Sequence, residues 1–409
     1  MSLAAANSAD NTTRFLALAV MAILLWPQPA DAAAWYGAGW TYRKPITIDH
    51  TKVPNTDQSS FPVLINLSAD SGLSAHARSD GFDILFTSSD GVTKIPYERE
   101  KYSSGALVAW VLVASLSHTA DTVVYMYYGN SGATDQQDTT QAVWDANYVG
   151  VWHLKEATGA TSADSASTNT ATPLNSPTQT TGQIDGGLNF NGSNMEDNVA
   201  STFGLGTASV TMEAWVNLGS TSLQGAFIKI GGTSPDNWGY ALGVGASTGS
   251  SFDSPGNTFA LLYEGARWIP TGVSFGTGWH HAVMVINASG FPIAYLDGAP
   301  VYSDSAGAPL VPESSITYIG GYTGSGGEQR HFNGILDEVR ISNSVRAPDW
   351  IKTEYNNQSS PGTFYSLGGE ESVPRRGQTI IGWNRTPDGN FAMNIRPGFV
   401  ISAPADSRF

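Results

Sequence analysis

The pair Asp337-Glu338 is the first place where this sequence could perform acid–base chemistry. A retaining glycosidase needs two carboxylates about 5–5.5 Å apart. Adjacent residues of a strand point to opposite faces, so these two carboxylates cannot face each other. The chain contains no E-x-D-x-x-E pattern. We therefore predict no catalytic residues, with Glu338 facing solvent and Asp337 capping a turn or helping to hold a cation.

The adjacent histidines His280 and His281 offer nitrogen ligands of the kind that zinc binds. Neighbouring strand residues again diverge, and no third ligand stands at metal spacing. His153 and His331 are too remote in sequence to assign to a site. We expect His280 or His281 to pack under a sheet beside Trp279.

Aromatic residues beside turn-like sequence offer another kind of chemistry, the recognition of sugars. A pyranose has an apolar face and hydroxyl edges, so its site needs an exposed aromatic ring with polar neighbours. We predict a ligand site formed by Asp236, Asn237, Trp238, Arg267, Trp268 and Tyr322. Ordinary packing inside a β-sandwich is the alternative for the aromatic members.

Composition narrows the classes of function that these residues can serve. Charged residues make up 13% of the 409 residues, against about 25% in an average globular protein. The formal net charge of -15 repels phosphate backbones and anionic lipid, so we exclude nucleic acid as a partner. The chain has no cysteine, which excludes disulfides and thiolate metal sites. Together these features favour an exported bacterial protein.

The N-terminus is typical of a secretory signal peptide over residues 1–32. Arg14 precedes an apolar run at 15–26, which is too short to span a bilayer, and Pro27 ends the run. Ala30-Asp31-Ala32 matches a cleavage site, and an uncleaved anchor is the alternative. No later segment is a candidate membrane span. We expect a mature protein in the periplasm, at the cell surface or outside the cell.

Short alternating segments bounded by turn residues fill the remainder and predict an all-β protein. The first group of predicted strands comprises residues 45–49, 61–67, 82–87, 107–113 and 122–128. The second group comprises residues 187–190, 210–218, 225–230, 240–244, 258–262, 280–286, 293–296, 316–319 and 335–341. We expect one helix, over 348–356, and further strands at 379–383 and 399–401.

These groups predict two β-sandwich domains, over residues 35–154 and 184–369. Residues 155–183 contain almost no large apolar side chain, which favours a Ser/Thr-rich linker or a long surface loop. Residues 370–409 form a tail to which we assign no role. Oligomeric state is not indicated by any pattern in the chain.

The second half resembles laminin G-like domains of the concanavalin A type. The resemblance rests on ordered phrases at residues 185–193 (DGGLNFNGS), 209–216 (SVTMEAWV), 278–283 (GWHHAV), 294–298 (AYLDG), 318–321 (YIGG) and 332–341 (FNGILDEVRI). It implies a concanavalin A-like jelly roll. It also implies a calcium ion near the opening turn and the closing strand, with Asn191, Asn194, Asp197 and Asp337 as candidate ligands. The alternative for Asn191-Gly192 is a plain type I′ turn.

The first half resembles the domain of unknown function numbered 2341. The residues that carry this resemblance are 40–48 (WTYRKPITI), 61–65 (FPVLI), 83–84 (DI), 96–98 (PYE), 109–111 (AWV), 127–130 (YYGN) and 143–145 (VWD). That family often precedes laminin G-like domains and occurs before some proton-channel subunits of the MotA/TolQ/ExbB type. The resemblance implies an envelope location and not proton conduction.

We expect a non-catalytic recognition protein that binds a glycan or a protein at the bacterial envelope. One alternative is a glycoside hydrolase or polysaccharide lyase built on the same sandwich. The other is a structural component of an ExbB/TolQ-type envelope complex. Fold alone does not decide among them, because this sandwich hosts both enzymes and lectins.

Overall fold

The computed structural model describes residues 34–397, except for nine internal gaps. The gaps are 206–208, 221–224, 232–238, 249–250, 264–267, 306–315, 325–328, 374–378 and 386–390. The signal-like residues and the predicted strand at 399–401 lie outside the described residues. Within the described ranges, no helix is long and apolar enough to cross a membrane.

The first sandwich is built from alternating sequences whose apolar positions face one core. Its elements are β1 (Tyr42–Ile48), β2 (Gln58–Leu67), α1 (Ser71–His76), β3 (Leu85–Thr87), β4 (Lys94–Ile95), β5 (Tyr97–Ser103), β6 (Ala106–Leu116) and β7 (Thr122–Tyr128). One sheet has the order β1-β7-β3-β4, and the other has the order β2-β6-β5. Phe61, Phe86 and Trp110 are fully buried between them.

The second sandwich contains fifteen of the described strands. They are β8 (Tyr148–Trp152), β9 (Ala171–Leu174), β10 (Thr178–Thr181), β11 (Gly186–Asn191), β12 (Glu196–Val199), β13 (Val210–Leu218), β14 (Gly225–Ile230), β15 (Tyr240–Thr248), β16 (Ser251–Leu262), β17 (Trp268–Ser274), β18 (Trp279–Ile286), β19 (Pro292–Leu296), β20 (Ala299–Ser303), β21 (Thr317–Ile319) and β22 (Asn333–Ser342).

These strands form two antiparallel sheets. The eight-stranded sheet has the order β10-β11-β22-β13-β18-β19-β20, and β8 also pairs with β22. The seven-stranded sheet has the order β17-β16-β15-β14-β21-β12-β9. The core between the sheets includes Phe190, Met212, Phe227, Leu261 and Ile341. The all-β prediction and the predicted concanavalin A-like sandwich are therefore confirmed.

The chain returns to the first sandwich after β22. Here α2 (Pro348–Ser359) and α3 (Pro361–Phe364) precede β23 (Tyr365–Leu367) and β24 (Glu371–Ser372), and both short strands pair with β1. A separate hairpin follows, made of β25 (Thr379–Arg385) and β26 (Phe391–Pro397). The expected helix at 348–356 thus exists and extends by one turn.

Two strands pair with a different sandwich from the one to which the predicted domain boundaries assign them. Strand β8 lies before residue 154 but pairs with β22 of the second sandwich. Strand β23 lies before residue 369 but completes a sheet of the first. Residues 155–183 are not only a linker or loop, because they contain β9 and β10, the edge strands of the two sheets. Edge strands bury one side at most, which explains their polar sequence.

Helix α2 is fixed to the first sandwich by side chains that imitate strand pairing. On edge strand β2, the Leu64 N–H donates to Asn357 Oδ1 at 2.7 Å, and Asn357 Nδ2 donates to the Leu64 carbonyl at 3.0 Å. The Tyr365 hydroxyl similarly contacts both backbone groups of Asn66. Since buried backbone groups need partners, these contacts close the edge of the sheet.

Candidate functional site

The four candidate calcium ligands lie in separate environments. Asn191 Oδ1 accepts backbone N–H groups from Ser193 and Asn194, and Asn191 Nδ2 donates to Asn194 Oδ1 at 2.9 Å. This is not the type I′ turn that was the alternative to a calcium site, because Gly192 has a φ of 73° but Asn191 has no positive φ. The oxygens that calcium would need are already used within the turn.

The two carboxylates of that set belong to different sheets and share no partner. Asp197, on β12, accepts a hydrogen bond from Ser162 Oγ at 2.8 Å, and burial raises its pKa to about 7. Asp337, on β22, accepts from the Ile184 N–H at 2.8 Å, and burial raises its pKa well above the ordinary value. The described geometry does not assemble the four residues around one ion.

The predicted ligand site is only partly within the described residues. Asp236, Asn237, Trp238 and Arg267 lie outside them. Trp268 and Tyr322 are brought together, with the indole Nε1 donating to the tyrosine hydroxyl at 3.3 Å, but they are 3% and 1% exposed. They cannot serve as an exposed platform, because both rings are packed on the sheet.

That packing occurs on the outer face of the seven-stranded sheet, the face turned away from the main core. Ile228, Ile230 and Ile319 point into the core, so the alternating residues Lys229 and Tyr318 point outward. Small side chains on this face leave room for Trp268 and Tyr322 to lie against them; these are Ala226, Ala241 and Ala260. Gly243 is required here, since a Cβ would meet the Trp268 ring at 2.9 Å.

A polar group on the same face, which we call the outer-face cluster, consists of Glu196, Asn198, Tyr318, Thr323 and His331. Asn198 Nδ2 donates to Glu196 Oε1 at 3.2 Å, and Thr323 Oγ1 lies 3.1 Å from His331 Nε2. Glu196 Oε2 is 3.6 Å from His331 Nδ1. Among the described residues, Glu196 Oε2, Asn198 Oδ1 and His331 Nδ1 have no hydrogen-bond partner.

Burial gives the outer-face cluster little charge. Glu196 and His331 are each 6% exposed. Burial raises the pKa of Glu196, with the Asn198 hydrogen bond acting in the opposite direction. Burial lowers the pKa of His331. Burial therefore disfavours the charged form of both side chains.

A second group of buried polar residues lies where the two sandwiches meet, and we call it the interface cluster. It consists of Glu98, Glu100, Trp110, Trp144, His153, Glu338 and Arg340. Glu98 and Glu100 come from β5 of the first sandwich, whereas Glu338 and Arg340 come from β22 of the second. His153 follows β8 directly. All of these side chains are nearly or completely buried.

The expectation that Glu338 faces solvent is wrong, because a β-bulge turns it inward. Opposite β13, the register passes from Glu213↔Arg340 to Trp215↔Asp337, so two residues of β22 oppose one of β13. Glu338 adopts a φ of 51°, in the left-handed region. Such bulges redirect side chains, and this one places Glu338 in the interface cluster at 1% exposure.

Opposite charges and indoles hold the interface cluster. His153 Nδ1 is 2.7 Å from Glu338 Oε1, and Arg340 Nη2 donates to Glu338 Oε2 at 2.7 Å. The Arg340 guanidinium lies 4.4 Å from the centre of the Trp110 ring. Burial alone would lower the pKa of His153, but the surrounding carboxylates raise it well above the ordinary value. Burial raises the pKa of Glu100 to about 7.

Of the adjacent histidines, His281 is buried as we expected, but it packs beside Trp215 and not beside Trp279. The centres of the His281 and Trp215 rings are 5.2 Å apart, and burial lowers the pKa of His281 to about 4. His280 Nδ1 lies 2.8 Å from Asp297 Oδ2. The histidines that sequence could not assign, His153 and His331, instead occupy the two polar clusters. Only strand register brings them to their partners, and no sequence spacing carries that signal.

The fold and these clusters define an all-β protein of two joined sandwiches, one of them concanavalin A-like. Residues 191–352 match the family described as the concanavalin A-like lectin/glucanases superfamily. Residues 80–152 match the domain of unknown function DUF2341. Both resemblances seen in the sequence, and their order along the chain, are thereby confirmed. A search of curated proteins finds no match.

Three solved structures illustrate the similarity of fold. Domain 4 of AbnA, a GH43 extracellular arabinanase from Geobacillus stearothermophilus, is 14% identical, with 52% of this chain and 100% of that chain covered and a TM-score of 0.40. Trypanosoma rangeli sialidase is 16% identical, with 65% of this chain and 43% of that chain covered and a TM-score of 0.42. The botulinum neurotoxin DC binding domain is 11% identical, with 52% of each chain covered and a TM-score of 0.39. Similarities this low carry no information on ligand or activity.

Proposed function

We propose that this protein is a non-catalytic recognition protein that binds a carbohydrate on the outer face of its seven-stranded sheet. The observation that carries the proposal is the outer-face cluster, in which the half-buried side chains of Asn198 and Tyr318 stand side by side and Asn198 Oδ1 lacks a partner among the described residues. A buried polar atom without a partner costs about 1–3 kcal/mol. A ligand that supplies hydrogen bonds offsets this cost.

Sugar hydroxyls match this array because each hydroxyl both donates and accepts hydrogen bonds. Burial disfavours the charged forms of Glu196 and His331, which favours an uncharged ligand over an anion or a cation. Half-buried Tyr318 adds an aromatic ring beside Asn198, its partner in the β12–β21 register. Polar atoms beside an aromatic ring are what a pyranose requires.

The arrangement supports binding over hydrolysis. The described part of the outer-face cluster contains one carboxylate, Glu196, whereas its neighbour Asp197 points into the sandwich. Retaining and inverting glycosidases both use two carboxylates flanking the scissile bond. Export to the envelope or cell surface is supported by the signal-like sequence of residues 1–32. The first sandwich serves in this proposal as a scaffold for the second.

Calcium stays a separate prediction. Carbonyl oxygens and carboxylates near the opening turn are suitable ligand types, although the four candidate side chains do not converge. A calcium-dependent rise in the unfolding temperature of chelator-treated protein would support such a site, because a ligand of the native state stabilises it. No change in that temperature would remove calcium from the account.

The test is thermal unfolding of the purified protein against a panel of neutral polysaccharides and oligosaccharides, followed by calorimetry. We expect at least one neutral glycan to raise the unfolding temperature. Asn198→Ala and Tyr318→Ala should each weaken its binding about tenfold or more, since each removes a side-chain group that would contact the sugar. Asn343→Ala, at an exposed position of the same sandwich, should bind as wild type does.

Three results would contradict the proposal. Equal binding by the wild type and both outer-face variants would place the sugar elsewhere. No binding of any glycan would favour a protein partner in the envelope, as the structural alternative predicts. Release of shortened products from a bound glycan would show the hydrolase alternative to be correct.

A further inference from the structure

The interface cluster contains a histidine and two glutamates whose potential ligand atoms converge. One atom from each of Glu100, His153 and Glu338 lies within 4.8 Å of the other two. His153 Nδ1 is 2.7 Å from Glu338 Oε1 and 3.6 Å from Glu100 Oε2. We propose that these three residues bind a divalent transition-metal cation such as Zn²⁺, which links the two sandwiches.

Local backbone irregularities place both glutamates in this position. Glu338 lies on the β22 bulge described above. Glu100 lies on a second bulge, because the register of β5 against β6 passes from Arg99↔Ala109 to Lys101↔Val108. Bulges re-aim side chains and are frequent beside functional sites. Two independent bulges, one in each sandwich, direct carboxylates at the same imidazole.

Both glutamates are also held by outer groups, as metal ligands commonly are. Trp110 Nε1 donates to Glu100 Oε2 at 2.9 Å, and Arg340 Nη2 donates to Glu338 Oε2. His153 Nε2 lies 3.4 Å from Glu98 Oε1. A metal-bound histidine almost always directs its second ring nitrogen to a carboxylate or a carbonyl, and Glu98 stands at that place.

Glu98 is itself fixed, which makes it a positioning residue for His153. Trp144 Nε1 donates to Glu98 Oε2 at 3.0 Å, and Ser165 Oγ donates to Glu98 Oε1 at 2.7 Å. The ligands would therefore be oriented before the cation arrives, which lowers the cost of binding.

The cluster contains carboxyl oxygens with which an added cation would pair. Glu98, Glu100, Glu338 and the neighbouring Asp337 bring four buried carboxyl groups to this region, beside His153 and Arg340. Glu100 Oε1 and Asp337 Oδ1 have no hydrogen-bond partner among the described residues. One imidazole with two carboxylates suits Zn²⁺, and leaves a fourth tetrahedral position for water.

The experiment uses the full purified protein, first stripped with chelator and then incubated with Zn²⁺ or Co²⁺. We expect about one equivalent of tightly bound metal per chain by elemental analysis, visible absorption bands from bound Co²⁺, and a higher unfolding temperature with metal. Glu100→Gln, which preserves side-chain shape, should weaken Co²⁺ binding about tenfold or more. Glu213→Gln, at a buried glutamate that is not a proposed ligand, should bind Co²⁺ as wild type does.

The result that overturns the proposal is a wild-type protein that retains no stoichiometric Zn²⁺ or Co²⁺ and unfolds at the same temperature with and without metal. Equal Co²⁺ affinity in the wild type and Glu100→Gln would also overturn it, because the metal would then lie elsewhere. Circular dichroism of Glu100→Gln confirms that this variant is folded before its affinity is compared.

Discussion

Both polar clusters contain glutamates beside a histidine, but the pKa of the histidine shifts in opposite directions in the two clusters. In the interface cluster three glutamates surround His153, and their charges raise the pKa of the imidazole despite its burial. In the outer-face cluster only Glu196 stands beside His331, and burial lowers the pKa of the imidazole. The number of carboxylates within reach, and not burial alone, thus decides whether a buried Glu–His pair carries charge. A charged enclosed cluster joins domains, whereas a weakly charged cluster on a sheet face suits a neutral ligand.

The largest effect should come from removing the arginine of the interface cluster. Arg340→Met leaves Glu338 without the guanidinium that donates to it at 2.7 Å, at a site where both side chains are 1% exposed or less. Removing one partner of a buried ion pair costs about 3–5 kcal/mol. Urea unfolding of the two proteins measures this difference.

The control for that change is Arg78→Met, because Arg78 pairs with Asp80 at the surface. Its unfolding midpoint should stay close to that of the wild type, since exposed pairs contribute little. Similar midpoints for Arg340→Met and Arg78→Met would mean that the interface charges do not hold the sandwiches together.

A smaller loss of stability is expected from a substitution in the contact that holds helix α2 on the first sandwich. Asn357→Ala removes both hydrogen bonds to the backbone of Leu64 and leaves a buried N–H and a buried carbonyl without partners. We expect a loss of about 2 kcal/mol in the free energy of unfolding. Asn356→Ala, which removes one half-buried contact to the Lys52 carbonyl, should cost less than half as much. Equal losses would show that the edge of β2 does not depend on Asn357.

The smallest expected effect on the free energy of unfolding comes from Asp197. This residue extends the comparison of the two clusters, because it is a buried carboxylate without a cationic partner among the described residues. Its folded-state pKa of about 7 lies above the unfolded value. The folded protein therefore binds an additional proton between about pH 4 and pH 7, and stability falls as pH rises through that range. Above about pH 7 this contribution is lost completely.

Asp197→Asn should remove this pH dependence, because the amide does not titrate. We expect the wild type to lose about 1 to 2 kcal/mol more than the variant between pH 4.5 and pH 7.5, with relaxation around the ionised carboxylate limiting the effect. Urea unfolding at the two pH values gives both numbers. Parallel losses in the two proteins would mean that Asp197 is ionised at little cost.

Much of the fold follows from local patterns. Strands β7, β13 and β14 begin and end where alternation predicts, because their apolar positions face a core and their ends carry turn residues. Strands β9 and β10 were not predicted, because edge strands bury few apolar side chains and the sequences of these two strands are polar. The return of β23 to β1 was also hidden, since it joins residues more than 300 positions apart through backbone bonds that any sequence can form.

The two clusters were harder to predict than the strands. Glu338 was expected in solvent because strict alternation was applied across a bulge, and one additional residue reverses the face of each side chain that follows. Glu196 and His331 lie 135 positions apart and meet only through the arrangement of β12, β21 and β22 around the end of the sheet. Trp268 and Tyr322 were predicted to form part of the ligand site, but both are buried, because small residues on other strands let their rings pack against the sheet.

The most direct test of the central claim is a crystal structure of the protein with the neutral glycan that raises its unfolding temperature most. We predict a sugar ring on the outer face of the seven-stranded sheet, lying against the Tyr318 ring and with a hydroxyl group within hydrogen-bond distance of the Asn198 amide. A sugar bound at the first sandwich, or at any surface that does not include these two residues, would contradict the account.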